Sequence, residues 1–373
     1  MDSKMKPGNR PLSGALIGIG LWSLAFGVFL CFVLPAAPRG GDPEADRAVR
    51  LMARSIDAFR ECRGSSGPPI DPVFDINRTG LIGVENSPIT TSLGKLEGKR
   101  TAANPQFAGA VVRMFREAGV RRGDTVAVGA SSSFPGLILA TLAAADALGL
   151  KPLLLSSLGA SNWGGNNPGW TWLEMSDCLR QKGLLDIQPI ALSIGGDGDA
   201  GRDMKEEGRE FLRRKIEQTG RPFIREPDLV STVAARMAIL EKSAGGVPIK
   251  VFVNVGGSYA DMGTDGEILK LRPGFNPASA VFIPPVERRG LIQEMARRGI
   301  PVIHLLFVKG LCDRYGLPWD PMPLPGPGPK APTSGPGSLS LLELIAFGVY
   351  LTGMIFGLAR ILRINRRFGM PIK

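Results

Sequence analysis

The sequence predicts an α/β protein: an extracytoplasmic domain built on a doubly wound, mostly parallel sheet, flanked by N- and C-terminal transmembrane helices. Between residues 107 and 306 short apolar runs alternate with helix-length segments, the pattern of a parallel sheet covered on both faces with right-handed crossovers. Residues 12–34 contain no charge, and that length at about 1.5 Å per residue spans a bilayer core of about 30 Å. Residues 338–359 form a second apolar run whose only charge is Glu343, and they also fit a span. The first run is too long for the apolar region of a signal peptide, and Pro35 stands where a cleavage site would need a small residue.

Topology follows from the flanking charges. Lys4, Lys6 and Arg10 precede the first run, and Arg360, Arg363, Arg366, Arg367 and Lys373 follow the second. The positive-inside rule places both tails, residues 1–11 and 360–373, in the cytoplasm. Residues 45–317 then form the outward domain, joined to the second span by the Pro/Gly-rich linker 318–337. Of the net charge of +11, the membrane segments and tails carry +6, leaving +5 on the domain. That balance, and the outward location, argue against a nucleic-acid partner. Cys31 falls in the first span, whereas Cys62, Cys178 and Cys312 lie outside it, without metal-ligand spacing. An oxidising compartment allows them at most one disulfide.

Taken in order, residues 45–63 read as an amphipathic helix with Leu51, Ile56 and Phe59 on its apolar side, and 64–104 as mostly irregular. Helices are expected at 107–118, 135–148, 173–181, 205–219, 229–242 and 286–298. Strands are expected at 125–129, 152–157, 189–194, 250–255, 280–283 and 301–306. Gly14-x-x-x-Gly18 and Gly353-x-x-x-Gly357 suit close packing of the two membrane helices, although glycine is common in such helices generally.

Ligands of open parallel sheets bind beyond the carboxyl ends of the strands. Four loops fall there, at residues 129–133, 159–170, 195–203 and 254–263, all rich in Gly, Ser, Asn or Asp. In VAVGASSSFPG (126–136) a nucleophile elbow would need Gly at Ser133, and the only histidine, His304, lies in the apolar stretch PVIHLLF. Ser131 and His304 are thus weak catalytic candidates. Two other readings remain open: Ser131, Ser132 and Ser133 bind a carboxylate or phosphate, or Ser132 or Ser133 simply caps the helix beginning at Pro135. Asp197, Asp199 and Asp203 are candidate ligands of a divalent cation, the one cofactor suggested, but lack the twelfth-position Glu of a calcium loop. Before the sheet, Glu85, Thr90, Thr91, Lys99, Arg100 and Asn104 are interspersed with glycines, and Lys99-Arg100 suits carboxylates unless it is merely solvated. Trp163, Trp170 and Trp172 either stack on a ligand, seat the domain near lipid headgroups, or pack beneath a long loop.

Residues 75–108 (DINRTGLIGVENSPITTSLGKLEGKRTAANPQFA), with VAVGASSSFPGL, SSLGASNWGGNNPGWTWLEM, SIGGDGDAGRD, FVNVGGSYADMG and GIPVIHLLFV, resemble the poly-gamma-glutamate system protein family over roughly residues 45–320. The resemblance implies a bacterial inner-membrane protein beside the synthase and export machinery of the poly-gamma-glutamate capsule polymer. It supplies no catalytic residues. It suggests an accessory protein in the lipid bilayer, partnered by the synthase and export membrane proteins and by the anionic polymer. The ligand-binding candidates, read from the polar loops and the segment before the sheet rather than from the resemblance, are Glu85, Thr90, Thr91, Lys99, Arg100, Ser131, Ser132, Ser133, Asn162, Asn166 and Asn254. An extracytoplasmic hydrolase that trims or releases the polymer is the second reading, and a structural assembly factor for the synthase is the third.

Overall fold

In the computed structural model, which describes residues 10–32, 42–65, 67–326 and 341–368, six strands form one sheet in the order β3-β2-β1-β4-β6-β5. The strands are β1 (Thr125–Ser131), β2 (Lys151–Ser157), β3 (Ala191–Ser193), β4 (Ile249–Val255), β5 (Gly274–Asn276) and β6 (Val302–Leu305). All neighbours pair in parallel except β5, which runs antiparallel to β6 at the edge. The predicted α/β class holds. Strand pleating explains both cores: Val126, Val128 and Ala130 point into one layer with Val251, Val253 and Ile303, and Ala127 points into the other with Phe252 and Val302.

The first layer is covered by α2 (Pro43–Ser65), α4 (Gln106–Glu117), α5 (Pro135–Leu148), α6 (Trp172–Gln181) and α11 (Val308–Tyr315), and the second by α8 (Leu229–Ala244) and α10 (Leu291–Arg297). Helix α7 (Glu206–Gln218) covers a smaller cluster with Ile89, Leu158 and Leu192. Local sequence sets the ends. Thr171 and Glu174 form a capping box on α6, Asp228 accepts from the Ser231 amide at 2.8 Å to cap α8, and Gly149 ends α5 at φ 65°. A Cys62–Cys178 disulfide ties α2 to α6, and Cys312 is a buried free thiol.

Several expectations change. Residues 280–283 are not a strand; the edge strand is β5, a few residues earlier. The helix expected at 286–298 breaks into a single 3-10 turn, Val286–Arg288, and α10. Within the irregular stretch lies α3 (Leu96–Ala102), and a four-residue helix, α9 (Tyr259–Met262), follows β4. The first nine residues of the expected linker, 318–326, belong to the domain: Arg100 forms a two-pronged ion pair with Asp320, and Asn77 Nδ2 donates to the Pro321 carbonyl at 3.0 Å. Residues 327–337 lie outside the described residues.

The sheet and its helices belong to one compact unit, Gly41–Thr333; Met1–Gly40 and Ser334–Lys373 form another. In the latter, α1 (Arg10–Phe32) and α12 (Leu341–Phe368) pack antiparallel. Phe26 stacks on Tyr350 with centroids 4.6 Å apart. A Cβ on Gly353 would lie 2.4 Å from the Trp22 ring, and one on Gly357 2.6 Å from Ile19. The second glycine motif therefore admits α1 closely, whereas Gly18 has open space around it. Among the described residues one helix is long and apolar enough to cross a membrane, α12 through Ile345–Ile364; the apolar stretch in α1, Leu16–Val28, is shorter. Val33, Leu34 and Ser338, at the edges of the expected spans, and Lys4, Lys6 and Lys373 lie outside the described residues.

Candidate functional site

The strand order reverses between β1 and β4: β2 and β3 lie outward of β1 on one side, and β6 and then β5 lie outward of β4 on the other. A crevice at the carboxyl ends of such strands is the natural ligand site. A cavity of about 900 Å³ opens there. All four polar loops reach it, through Ser131 and Ser133, Ser161, Asp197 and Asp203, and Ser258.

Close backbone approaches assemble its floor. The space beside Gly164 is filled by Ser133, whose Cα would lie 2.8 Å from an added Cβ, so the loop after β2 presses on the serine run. Gly136 lets the Ala102 carbonyl come nearer still, seating α3 against the start of α5. Lys99 on α3 thereby reaches the floor: its Nζ donates to the Ser133 carbonyl at 2.5 Å and to Ser161 Oγ at 2.8 Å. It also lies 3.6 Å from the centroid of the Phe134 ring. Ser131 Oγ donates to Ser133 Oγ at 2.9 Å, and Ser133 Oγ accepts the Ser161 amide at 3.0 Å. Lys99 is 4% exposed, and burial lowers its ammonium to about 7 because desolvation penalises the charged form.

The serines are not helix caps. Phe134 occupies the N-cap position of α5 without a side-chain cap, and Ser132 Oγ instead donates to the Ser157 carbonyl at 2.7 Å. Nor is there a serine triad. His304 sits mid-strand on β6, 3% exposed, and its Nδ1 lies 3.0 Å from Asn254 Nδ2. Asn254 Nδ2 also donates to the Gly256 carbonyl at 2.9 Å, which fixes that atom as the amide nitrogen and His304 Nδ1 as the acceptor. Burial pushes His304 down to about 4, so the ring is neutral.

Of the other predicted ligand residues, Thr91 lines the cavity. Asn162 and Asn166 tie loops together: Asn162 Oδ1 accepts the Gly94 amide at 3.0 Å and its Nδ2 donates to the Glu85 carbonyl, while Asn166 bridges Val84 and Thr90. Arg100 is committed to Asp320. The three aspartates do not converge as metal ligands. Asp203 Oδ1 accepts the Asp197 amide at 3.0 Å, whereas Asp199 is buried and pairs with Arg236 Nη2 at 2.7 Å. No group of three or more metal-ligating His, Cys, Asp or Glu occurs among the described residues. The tryptophans are buried packing residues: Trp170 Nε1 donates to the Gly80 carbonyl at 2.8 Å and Trp163 packs on Phe74.

Gly129, inside β1, has a separate reason. A Cβ there would lie 2.6 Å from the Asp261 carboxylate, and Asp261 pairs with the fully buried Arg236 at 3.4 Å. Burial raises Asp261 to about 6 despite the Arg236 guanidinium. Sequence reasoning missed Lys95, Ser161, Leu93, Phe307, Lys309 and Trp319, all of which line the cavity. Leu93, Phe307 and Trp319 are exposed, Leu93 to 94%. No family model, curated protein or solved structure matches the chain.

Proposed function

We propose that the cavity holds a carboxylate-bearing chain, poly-gamma-glutamate, and that the protein is an accessory membrane component of the synthesis or export of that polymer. The observation that carries this reading is the mixed character of the mouth, where exposed Lys95 and Lys309, the latter paired with the exposed Asp313, stand among exposed Leu93, Phe307 and Trp319. A γ-linked glutamate backbone alternates a carboxylate with a pair of methylenes, so it matches cations interleaved with apolar surface. Two spans with both termini cytoplasmic would place the sheet domain outside; the antiparallel packing of α1 and α12 supports termini on one side. The Cys62–Cys178 disulfide favours an oxidising compartment.

Titration of the full chain in detergent with a γ-linked glutamate oligomer at low salt should give saturable heat. Lys95→Ala with Lys309→Ala should weaken binding about tenfold, equivalent to about 1.4 kcal/mol. Added salt should weaken it further, because both ammonium groups are solvent-screened. Absence of heat at low salt contradicts the proposal. Arg100→Ala should leave affinity nearly unchanged, since Arg100 does not line the cavity and is turned to Asp320.

A further inference from the structure

We propose that Ser161 and Lys99 form a nucleophile and base that cleave an amide bond of the chain held in the cavity. The substrate rests on the reading just given; the pair rests on geometry alone. A serine nucleophile needs a base within hydrogen-bond reach, and among the sites where the sequence suggested one, Ser131 meets only another serine, Ser133, and His304 bonds Asn254 away from the cavity lining. Ser161 alone in this cluster has an amine on its hydroxyl, at 2.8 Å, with both residues on the lining.

The surroundings orient that amine. A neutral lysine has two N–H bonds and one lone pair. The Ser133 carbonyl at 2.5 Å takes an N–H, leaving the lone pair free to accept the Ser161 hydroxyl proton. Phe134 covers the amine on one side at 3.6 Å, and the Ser161 backbone is fixed by its amide bond to Ser133 Oγ. A lysine held at about 7 by burial has an accessible neutral form at mildly alkaline pH. The other titratable groups on the lining are Lys95, Lys309, Asp197, Asp203 and Tyr259; none of them hydrogen-bonds the Lys99 amine.

The step balances without a further reagent. The Ser161 proton passes to Lys99 Nζ as Oγ bonds to the substrate carbonyl carbon. The C–N bond then breaks, and the departing amine takes the proton back from the Lys99 ammonium. Water, deprotonated by the neutral amine, attacks the Ser161 ester; a carboxylic acid leaves and the hydroxyl is restored. Both residues touch the reacting atoms and are catalytic residues in this account.

The full chain in detergent, treated with a fluorophosphonate, should form one adduct that maps to Ser161. The labelling rate should rise about tenfold from pH 6 to pH 8, as a base with pKa near 7 loses its proton. Ser161→Ala and Lys99→Met should lower it at least a hundredfold while melting as cooperatively as the unaltered chain. No adduct, an adduct on another residue, or a rate flat across that range overturns the pair. The γ-linked glutamate oligomer separates the two proposals. Binding without labelling or shortening leaves the binding site standing and ends the catalytic pair. Labelling of Ser161 without binding or shortening keeps the pair and removes this substrate.

Discussion

Lys99→Met is expected to stabilise the domain at pH 7 while ending any chemistry at Ser161. The lysine is 4% exposed, and desolvation lowers it from 10.5 to about 7. At 1.36 kcal/mol per unit, that depression sets a ceiling of about 5 kcal/mol on the cost of keeping a titratable amine there. Methionine is similar in length and carries no charge, but it abandons the Ser133 carbonyl and the Ser161 hydroxyl, which offsets about 1–3 kcal/mol. A net gain of about 1–3 kcal/mol is expected. The sign with pH is fixed. Below pH 7 both folded and unfolded lysine are protonated, and the full cost is present. Between about 7 and 10.5 the folded state has shed a proton that the unfolded state retains, so the stability of the unaltered protein rises with pH. Denaturant melts at pH 7 and pH 10 should therefore show the advantage of Lys99→Met shrinking at the higher pH.

Arg236→Leu is expected to give the largest loss of stability. Arg236 Nη2 pairs with Asp199 at 2.7 Å and bonds Ser193 Oγ at 2.9 Å, and Nη1 reaches Asp261 at 3.4 Å, all three residues being buried. Removing the one cation leaves two buried carboxylates without compensation, a loss of about 3–5 kcal/mol. Burial already raises Asp261 to about 6 with the guanidinium present; without it, Asp261 rises further. An acid whose folded pKa exceeds its unfolded value binds the proton preferentially when folded, so stability grows as pH falls from the folded towards the unfolded pKa. The variant should thus be most defective at neutral pH and partly recover near pH 4–5. Adding Asp199→Asn and Asp261→Asn should restore much of the loss at pH 7. Urea melts across that range check both expectations.

The sheet was legible because its central strands are buried on both faces and read as unbroken apolar runs: VFVNV and TVAVGAS could hardly be anything else. The short edge strand Gly274–Asn276 was not, since three residues carry no periodicity and their extension is imposed by pairing with β6. The four loops could be placed at one end of the sheet from the parallel strand–helix alternation alone. Which of their residues meet could not. Lys99 and Arg100 read as a basic pair that either binds carboxylates together or is solvated, but on α3 adjacent side chains diverge by about 100°, and one enters the floor while the other turns to Asp320. Ser161 was hidden in a glycine- and asparagine-rich loop, and it becomes notable only through the approach of Gly164 to Ser133. Gly129 read as the point where strand gives way to loop, whereas β1 runs on to Ser131 and the glycine leaves space for Asp261, 132 positions later in the chain.

The central claim is that the Lys99 amine is neutral above about pH 7 and accepts the Ser161 hydroxyl. Carbon-13 labelling at the lysine ε-carbons of the full chain, followed by NMR titration, reads this directly. The account predicts one resonance that titrates near 7 and is missing from Lys99→Met. Titration of every lysine near the ordinary value of about 10.4 would contradict it.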